Sequence, residues 1–381
     1  MENNKEKKLK KIRIINWKSF KDCTIELNEG LNILVGPNAS GKTNLLEAFK
    51  FLKKAIGKPT TPYAPHLEWW NVRNIAYKND TTKPITFELH FTNGITYKVS
   101  FSIAGGALDV FEEELSHNGF QVRRRNGIIR VYGEFSSDKK IIIRRLVYKI
   151  KKFTRISFLD HAEIYHGEFG WIFRYVKDFI SSILFVKHVN VNATREPVPV
   201  VGVDEVAEDG RNLAQLLHRL FLTNNGKYPD IVEHALRNLF PELSLKPDLT
   251  PDGRVFMKVL DNKLGAEIFP PCISDGFYKI LHLTCALNSD FSILLVDEVE
   301  NSLHFEALEY VISEFKNSGR QILVATHSPV VVDVAGIESI LLFEVTAEGS
   351  VAKRVANVDR VREWMREKGL TPSEMWEYGL Q

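Results

Sequence analysis

Gly36-Pro37-Asn38-Ala39-Ser40-Gly41-Lys42-Thr43 places two glycines five positions apart, then a lysine and a threonine. That spacing lets a loop curl until successive backbone N–H groups point inward at anionic oxygens. An apolar strand, "LNILV", leads into the loop, and a helix begins at its end, adding partial positive charge. The stretch Gly36–Thr43, with Asn44 in the first helical turn, reads as a cradle for the phosphates of ATP. Lys42 would neutralise the β- and γ-phosphates and the Thr43 hydroxyl would hold Mg²⁺.

A second group of chemistry-bearing residues lies about 255 positions further on. "ILLVDE" is four apolar residues followed by Asp297 and Glu298. A core strand would carry both acids to its C-terminal edge, where α/β sheets bind ligands. Asp297 is expected on the Mg²⁺ side, with Glu298 as the general base that polarises the attacking water. "ILVATHSP" follows after one helix, and its His327 ends at the same edge, placed to touch the γ-phosphate.

Other clusters carry weaker signals. Asp160, His161, Glu163 and His166 lack the HExxH spacing of a metal site. Cys272, His282 and Cys285 read as core or helix-face residues. Cys23, Cys272 and Cys285 are the three cysteines, and they form no CxxC pair, as expected in a reducing compartment.

The elements that must position these groups alternate in type. "ITFELHFTNGITYKVSFSI" is a hairpin turning at Asn93-Gly94, and "EDGRNLAQLLHRL" and "YPDIVEHALRNLF" are amphipathic helices. After residue 273 the rhythm is helix, strand, helix, strand, with apolar strands suited to a parallel sheet covered on both faces. The 381 residues carry a net charge of +2, yet residues 1–21 sum to +6 and residues 121–155 to +10. The second block interleaves Tyr132, Tyr148 and Phe153 with its cations. That mixture suits a nucleic-acid backbone, a protein-docking surface or a plain exposed sheet. No apolar run approaches 18 residues and the basic N-terminus lacks an apolar core, so a cytoplasmic chain without a membrane partner is expected.

Taken together, "IRIINWKSFKDCTIELNEGLNILVGPNASGKTNLLEA", "EDGRNLAQLLHRL", "ISDGFYKILHL", "ILLVDEVENSLH" and "ATHSPVVVD" resemble the ABC-type ATPase heads of the SMC, RecF and OLD proteins. The resemblance implies an α/β P-loop fold with a mixed central sheet. Its N-terminal lobe would span residues 1–108, a basic β-rich arm 109–190 and its C-terminal lobe 191–381. It implies a Mg²⁺-dependent ATPase that dimerises head to tail around two ATP molecules. Ser274 and Gly276 would reach the partner's ATP in trans, and Asn301 and Ser302 would lie along the dimer seam. The cycle would drive clamping on DNA, through residues 121–155, or gating of an effector protein, in DNA repair or anti-phage defence. Ile-Ser-Asp-Gly-Phe departs from the LSGGQ of transporters, and Asp275 would have to turn away from phosphate. Neither the TOPRIM nuclease domain of OLD proteins nor the long coiled coil of SMC proteins is visible. A transporter nucleotide-binding subunit and an ATP-dependent switch without DNA contact remain the alternatives.

Overall fold

The protein, a computed structural model, is described for residues 7–58, 64–103, 108–125, 128–132, 134–137, 140–143, 146–149, 157–159 and 170–377. It divides into two compact units. The first is Met1–Ile183 with Leu341–Ala356, the second Leu184–Ile340 with Asn357–Gln381.

In the first unit β1 (Leu9–Trp17), β2 (Phe20–Glu26) and β3 (Leu31–Val35) lead to helix α1 (Lys42–Leu52), which continues through a π turn to Gly57. The hairpin expected at Asn93-Gly94 is present as β4 (Ile85–Phe91) and β5 (Thr96–Ser102). Then come β6 (Asp109–His117), β7 (Phe120–Arg125), β8 (Ile128–Tyr132), β9 (Glu134–Ser137), β10 (Lys140–Ile143), β11 (Leu146–Lys149) and helix α2 (Gly170–Ser181).

From Ile12 up to Trp17, β1 alternates buried and half-buried positions, and it pairs antiparallel with both β2 and β4. Its last residue, Trp17, is fully buried, with ring centroids 5.1 Å from Phe51, 5.5 Å from Phe87 and 5.7 Å from Trp69. Its indole N–H donates to the Asn44 carbonyl at 2.8 Å. The aromatic core thereby fixes the first turn of α1, the helix that opens at the phosphate loop.

The arm strands continue this pattern, and their register changes the meaning of the basic block. Glu112, Glu113 and Glu114 on β6 lie directly opposite Arg125, Arg124 and Arg123 on β7. Arg123 donates to Glu112. Glu113 is wholly buried, accepting from the Tyr97 hydroxyl at 2.6 Å, from the Phe158 N–H at 2.8 Å and from the Ser157 hydroxyl, with Arg124 at 3.6 Å. Burial raises the Glu113 pKa above the usual carboxylate value, against these partners. The cations of β7 therefore answer acids within the arm. The candidate cluster Asp160, His161, Glu163 and His166 lies outside the described residues, as do the side chains of residues 133–156.

The second unit opens with β12 (Leu184–Val186), helix α3 (Val191–Arg195), β13 (Val198–Pro199), and helices α4 (Leu213–Thr223) and α5 (Asp230–Leu239). An antiparallel set follows: β14 (Leu243–Leu249), β15 (Arg254–Asp261) and β16 (Ala266–Ile268). Next are α6 (Asp275–Asn288), β17 (Leu294–Asp297), α7 (Phe305–Asn317), β18 (Ile322–Ala325) and α8 (Pro329–Ala335). The chain then returns to the first unit through β19 (Ile340–Thr346) and β20 (Gly349–Arg354), which run between β2 and β3. It ends on α9 (Val358–Lys368) and α10 (Pro372–Glu377).

β12, β17 and β18 are parallel neighbours, with Leu184 beside Leu294 and Leu294 beside Ile322. Every residue of β17 and β18 is buried, as the unbroken apolar runs required. Helix α6 is buried at every position from Phe277 to Leu287, so it is a core helix rather than a surface one. Among the described residues no helix is long and apolar enough to cross a membrane.

His282 sits inside α6 with no solvent exposure, and its Nε2–H donates to the Ala207 carbonyl at 2.8 Å. Burial pushes its pKa down from 6.5 to about 4. The unfolded chain therefore takes up this proton near pH 6.5 and the native chain only near pH 4, so stability falls as pH drops through that window. At pH 5 the loss should be about 2 kcal/mol. It should be read as a lower denaturant midpoint than at pH 7, and His282→Gln, which keeps a donor, should lack that component.

Candidate active site

In the first unit, β3 delivers the chain to Gly36 at φ 151°, where an added Cβ would lie 2.3 Å from the Phe343 carbonyl oxygen. Gly41 takes φ 108°, and a Cβ there would come within 2.8 Å of the Ser350 hydroxyl. Both positions therefore require glycine. Pro37, Asn38 and Ala39 form the exposed rim of the loop, and Ser40, Gly41 and Lys42 are buried beneath it. The Lys42 ammonium donates to the carbonyls of Gly36 at 2.8 Å and Pro37 at 3.0 Å, spanning the loop. Thr43 is exposed, and the Asn44 amide donates to the Ser19 hydroxyl at 2.8 Å. Helix α1 begins with neither a side-chain cap nor an acidic residue in its first turn. A side-chain oxygen in either place would compete with an incoming anion, so the cradle fits a phosphate chain.

In the second unit, β17 ends at Asp297, which is 4% exposed. The chain then turns through a left-handed residue, Glu298 at φ 49°, which is exposed beyond the strand rather than part of it. A non-glycine residue there stores strain of order 1 kcal/mol, a feature that gathers at functional sites. Asn301 donates its amide to Glu298 Oε2 at 2.8 Å and so fixes that carboxylate. His327 lies two residues past the end of β18 and is exposed. Its backbone N–H donates to Glu300 Oε1 at 2.7 Å, while Glu300 Oε2 accepts from the Thr326 hydroxyl at 2.8 Å. Glu300 therefore ties the loop after β17 to the loop that carries His327.

The turn Ile273–Gly276 completes this unit. Ser274 is the N-cap of α6, and its hydroxyl accepts from the Phe277 N–H at 3.4 Å. Ser274 is exposed, and Gly276 packs so closely that an added Cβ would lie 2.7 Å from the Ser302 carbonyl oxygen. The Asp275 carboxylate accepts from Arg195 at 2.9 Å, and the same guanidinium donates to the Ile273 carbonyl at 2.7 Å. The Asp275 carboxylate is thus paired with an arginine 80 residues earlier.

Sequence reasoning missed Arg195, Glu300 and Lys279. The last could have been seen as the one charged residue between Phe277 and Leu287 in an otherwise buried helix. Arg195 and Glu300 act through partners distant in sequence, which spacing does not reveal.

A phosphate loop after a buried strand, a buried Asp297 closing a parallel strand with an exposed Glu298 after it, and a helix N-terminus opening at Ser-Asp-Gly define an ABC-type P-loop ATPase head of the SMC and RecF group. The chain belongs to the family described as "AAA domain, putative AbiEii toxin, Type IV TA system", whose model matches residues 31–333. It is 24% identical over 360 residues to an ATP/GTP phosphatase of Helicobacter pylori, covering 86% of this chain and 87% of that one. It is 51% identical over 75 residues to the DNA replication and repair protein RecF of Moorella thermoacetica, 19% of this chain and 20% of RecF. The solved SMC head bound to the C-winged helix domain of ScpA shares the fold, with a TM-score of 0.52 at 13% identity, covering 93% of this chain and 99% of that one.

Proposed function

We propose that this chain binds and hydrolyses ATP in a head-to-tail dimer, and that the cycle is coupled to DNA contact or to gating of an effector protein. The observation that carries the dimer is the α6 N-terminus: Ser274 and Asp275 are exposed, and Asp275 is neutralised by Arg195. An exposed helix start with its own acid held aside is suited to an anion supplied by another molecule.

In this reading Gly36–Asn44 cradle the triphosphate, and Lys42 offsets its charge. Thr43 and Asp297 would hold Mg²⁺, which when bound supplies neutralisation and orientation of the phosphate oxygens. Glu298, held by Asn301, orients the attacking water and takes its proton. His327, positioned through its backbone by Glu300, contacts the γ-phosphate. Ser274 and Gly276 of the partner subunit's own α6 would complete the shell, with Asn301 and Ser302 along the seam. Hydrolysis is supported by the relative named ATP/GTP phosphatase, and DNA coupling by the RecF relatives.

The arm's part in DNA binding is narrowed by the ladder of Glu112–Glu114 against Arg123–Arg125, which balances those cations internally. DNA contact then falls to Arg130 and the cations after it. ATP turnover measured with and without duplex and single-stranded DNA tests the coupling. Bound DNA should change the rate. A rate indifferent to DNA, with no DNA bound, would move the coupling to an effector protein.

A further inference from the structure

Lys279 lies three residues after Gly276 on α6, and so on the same helix face. That face meets the loop after β17, as the close approach of Gly276 to the Ser302 carbonyl shows. Lys279 is 1% exposed, and among the described residues its ammonium has no hydrogen-bond partner. Burial pushes its pKa down to about 8, partly offset by the negative charges of Glu300, Asp297 and Glu298, in that order. A buried cation without acceptors is destabilising, so a fold that keeps one forgoes stability that a methionine of similar length would restore.

We propose that Lys279 is a positioning residue that couples the carboxylates of a chain's own ATP site to the turn, Ser274–Gly276, which the same chain offers to its partner's ATP. One helix carries both groups within about a turn and a half. Nucleotide entering one site draws Asp297 and Glu298 into new positions. The Lys279 ammonium then donates to a carboxylate of the loop after β17, Glu300 or Glu298, and α6 moves with it. Occupation of one ATP site is thereby felt at the other, and this rests on the head-to-tail reading above.

The test compares wild type, Lys279→Met and Lys279→Arg in apo melting temperature, ATP affinity, turnover and the Hill coefficient for ATP. Lys279→Met should melt no lower than wild type and bind ATP with a Kd little changed. Its turnover should fall about ten- to a hundred-fold, the range expected when a catalytic group is misplaced. Its Hill coefficient should drop to one, and Lys279→Arg should recover part of both. A Lys279→Met chain with wild-type turnover and cooperativity would overturn the coupling. A melting temperature lowered in step with the lost activity would also overturn it, by making Lys279 merely structural. Wild-type protein that neither hydrolyses ATP nor responds cooperatively would overturn the dimeric ATPase reading and this proposal together.

Discussion

Lys42→Ala should lose ATP binding by at least about a hundred-fold, roughly 3 kcal/mol. Two effects add. The ammonium is a charge-assisted donor for the phosphates, of the kind that outweighs neutral hydrogen bonds. It also spans the loop by donating to the Gly36 and Pro37 carbonyls, so its removal loosens the cradle before any ligand arrives. The hydrophobic framework beneath, Trp17 against Phe51 and Phe87, does not involve Lys42, so the variant should stay folded. Titration calorimetry with ATP reads the affinity, and circular dichroism the fold. A Lys42→Ala chain that binds ATP as wild type does would remove the phosphate loop from the site.

Glu298→Gln should separate binding from chemistry. The amide keeps the shape and an acceptor oxygen for Asn301, which donates at 2.8 Å in the wild type. It cannot take a proton from water, and general-base loss costs about 10²–10⁴-fold in rate. ATP affinity should hold, because the phosphates are held in this reading by Gly36–Asn44, none of which is altered. Phosphate release under saturating ATP is the readout. Turnover within a few-fold of wild type would sink the role given to Glu298.

Much of this site was legible before any coordinates. The two glycines, Lys42 and Thr43 are constrained by local backbone geometry, and local geometry is what spacing encodes. The apolar runs before Gly36 and Asp297 announced buried strands, which the fully buried β3 and β17 bear out. Asp275 shows where spacing stops. Its sign was readable and so was the need to turn it away, but Arg195 meets it across 80 residues and belongs to a different helix. Glu300 is similar: it looks like one more acid in "DEVEN", and only the fold brings it to Thr326 and His327. The arm's charge was only half legible, for another reason. Counting charge from residue 121 cut the hairpin in half and left out the three glutamates of β6 that face Arg123–Arg125.

Two chains are expected to close around ATP. Light scattering coupled to size-exclusion chromatography of Glu298→Gln, run with saturating Mg-ATP, with ADP and without nucleotide, tests it most directly. The predicted result is a mass twice the 43.6 kDa of the single chain with ATP alone, falling to that of one chain with ADP. The same doubling should be lost when Ser274 is replaced by arginine in the Glu298→Gln chain. A Glu298→Gln protein that binds ATP yet keeps one mass in all three conditions would contradict the head-to-tail dimer.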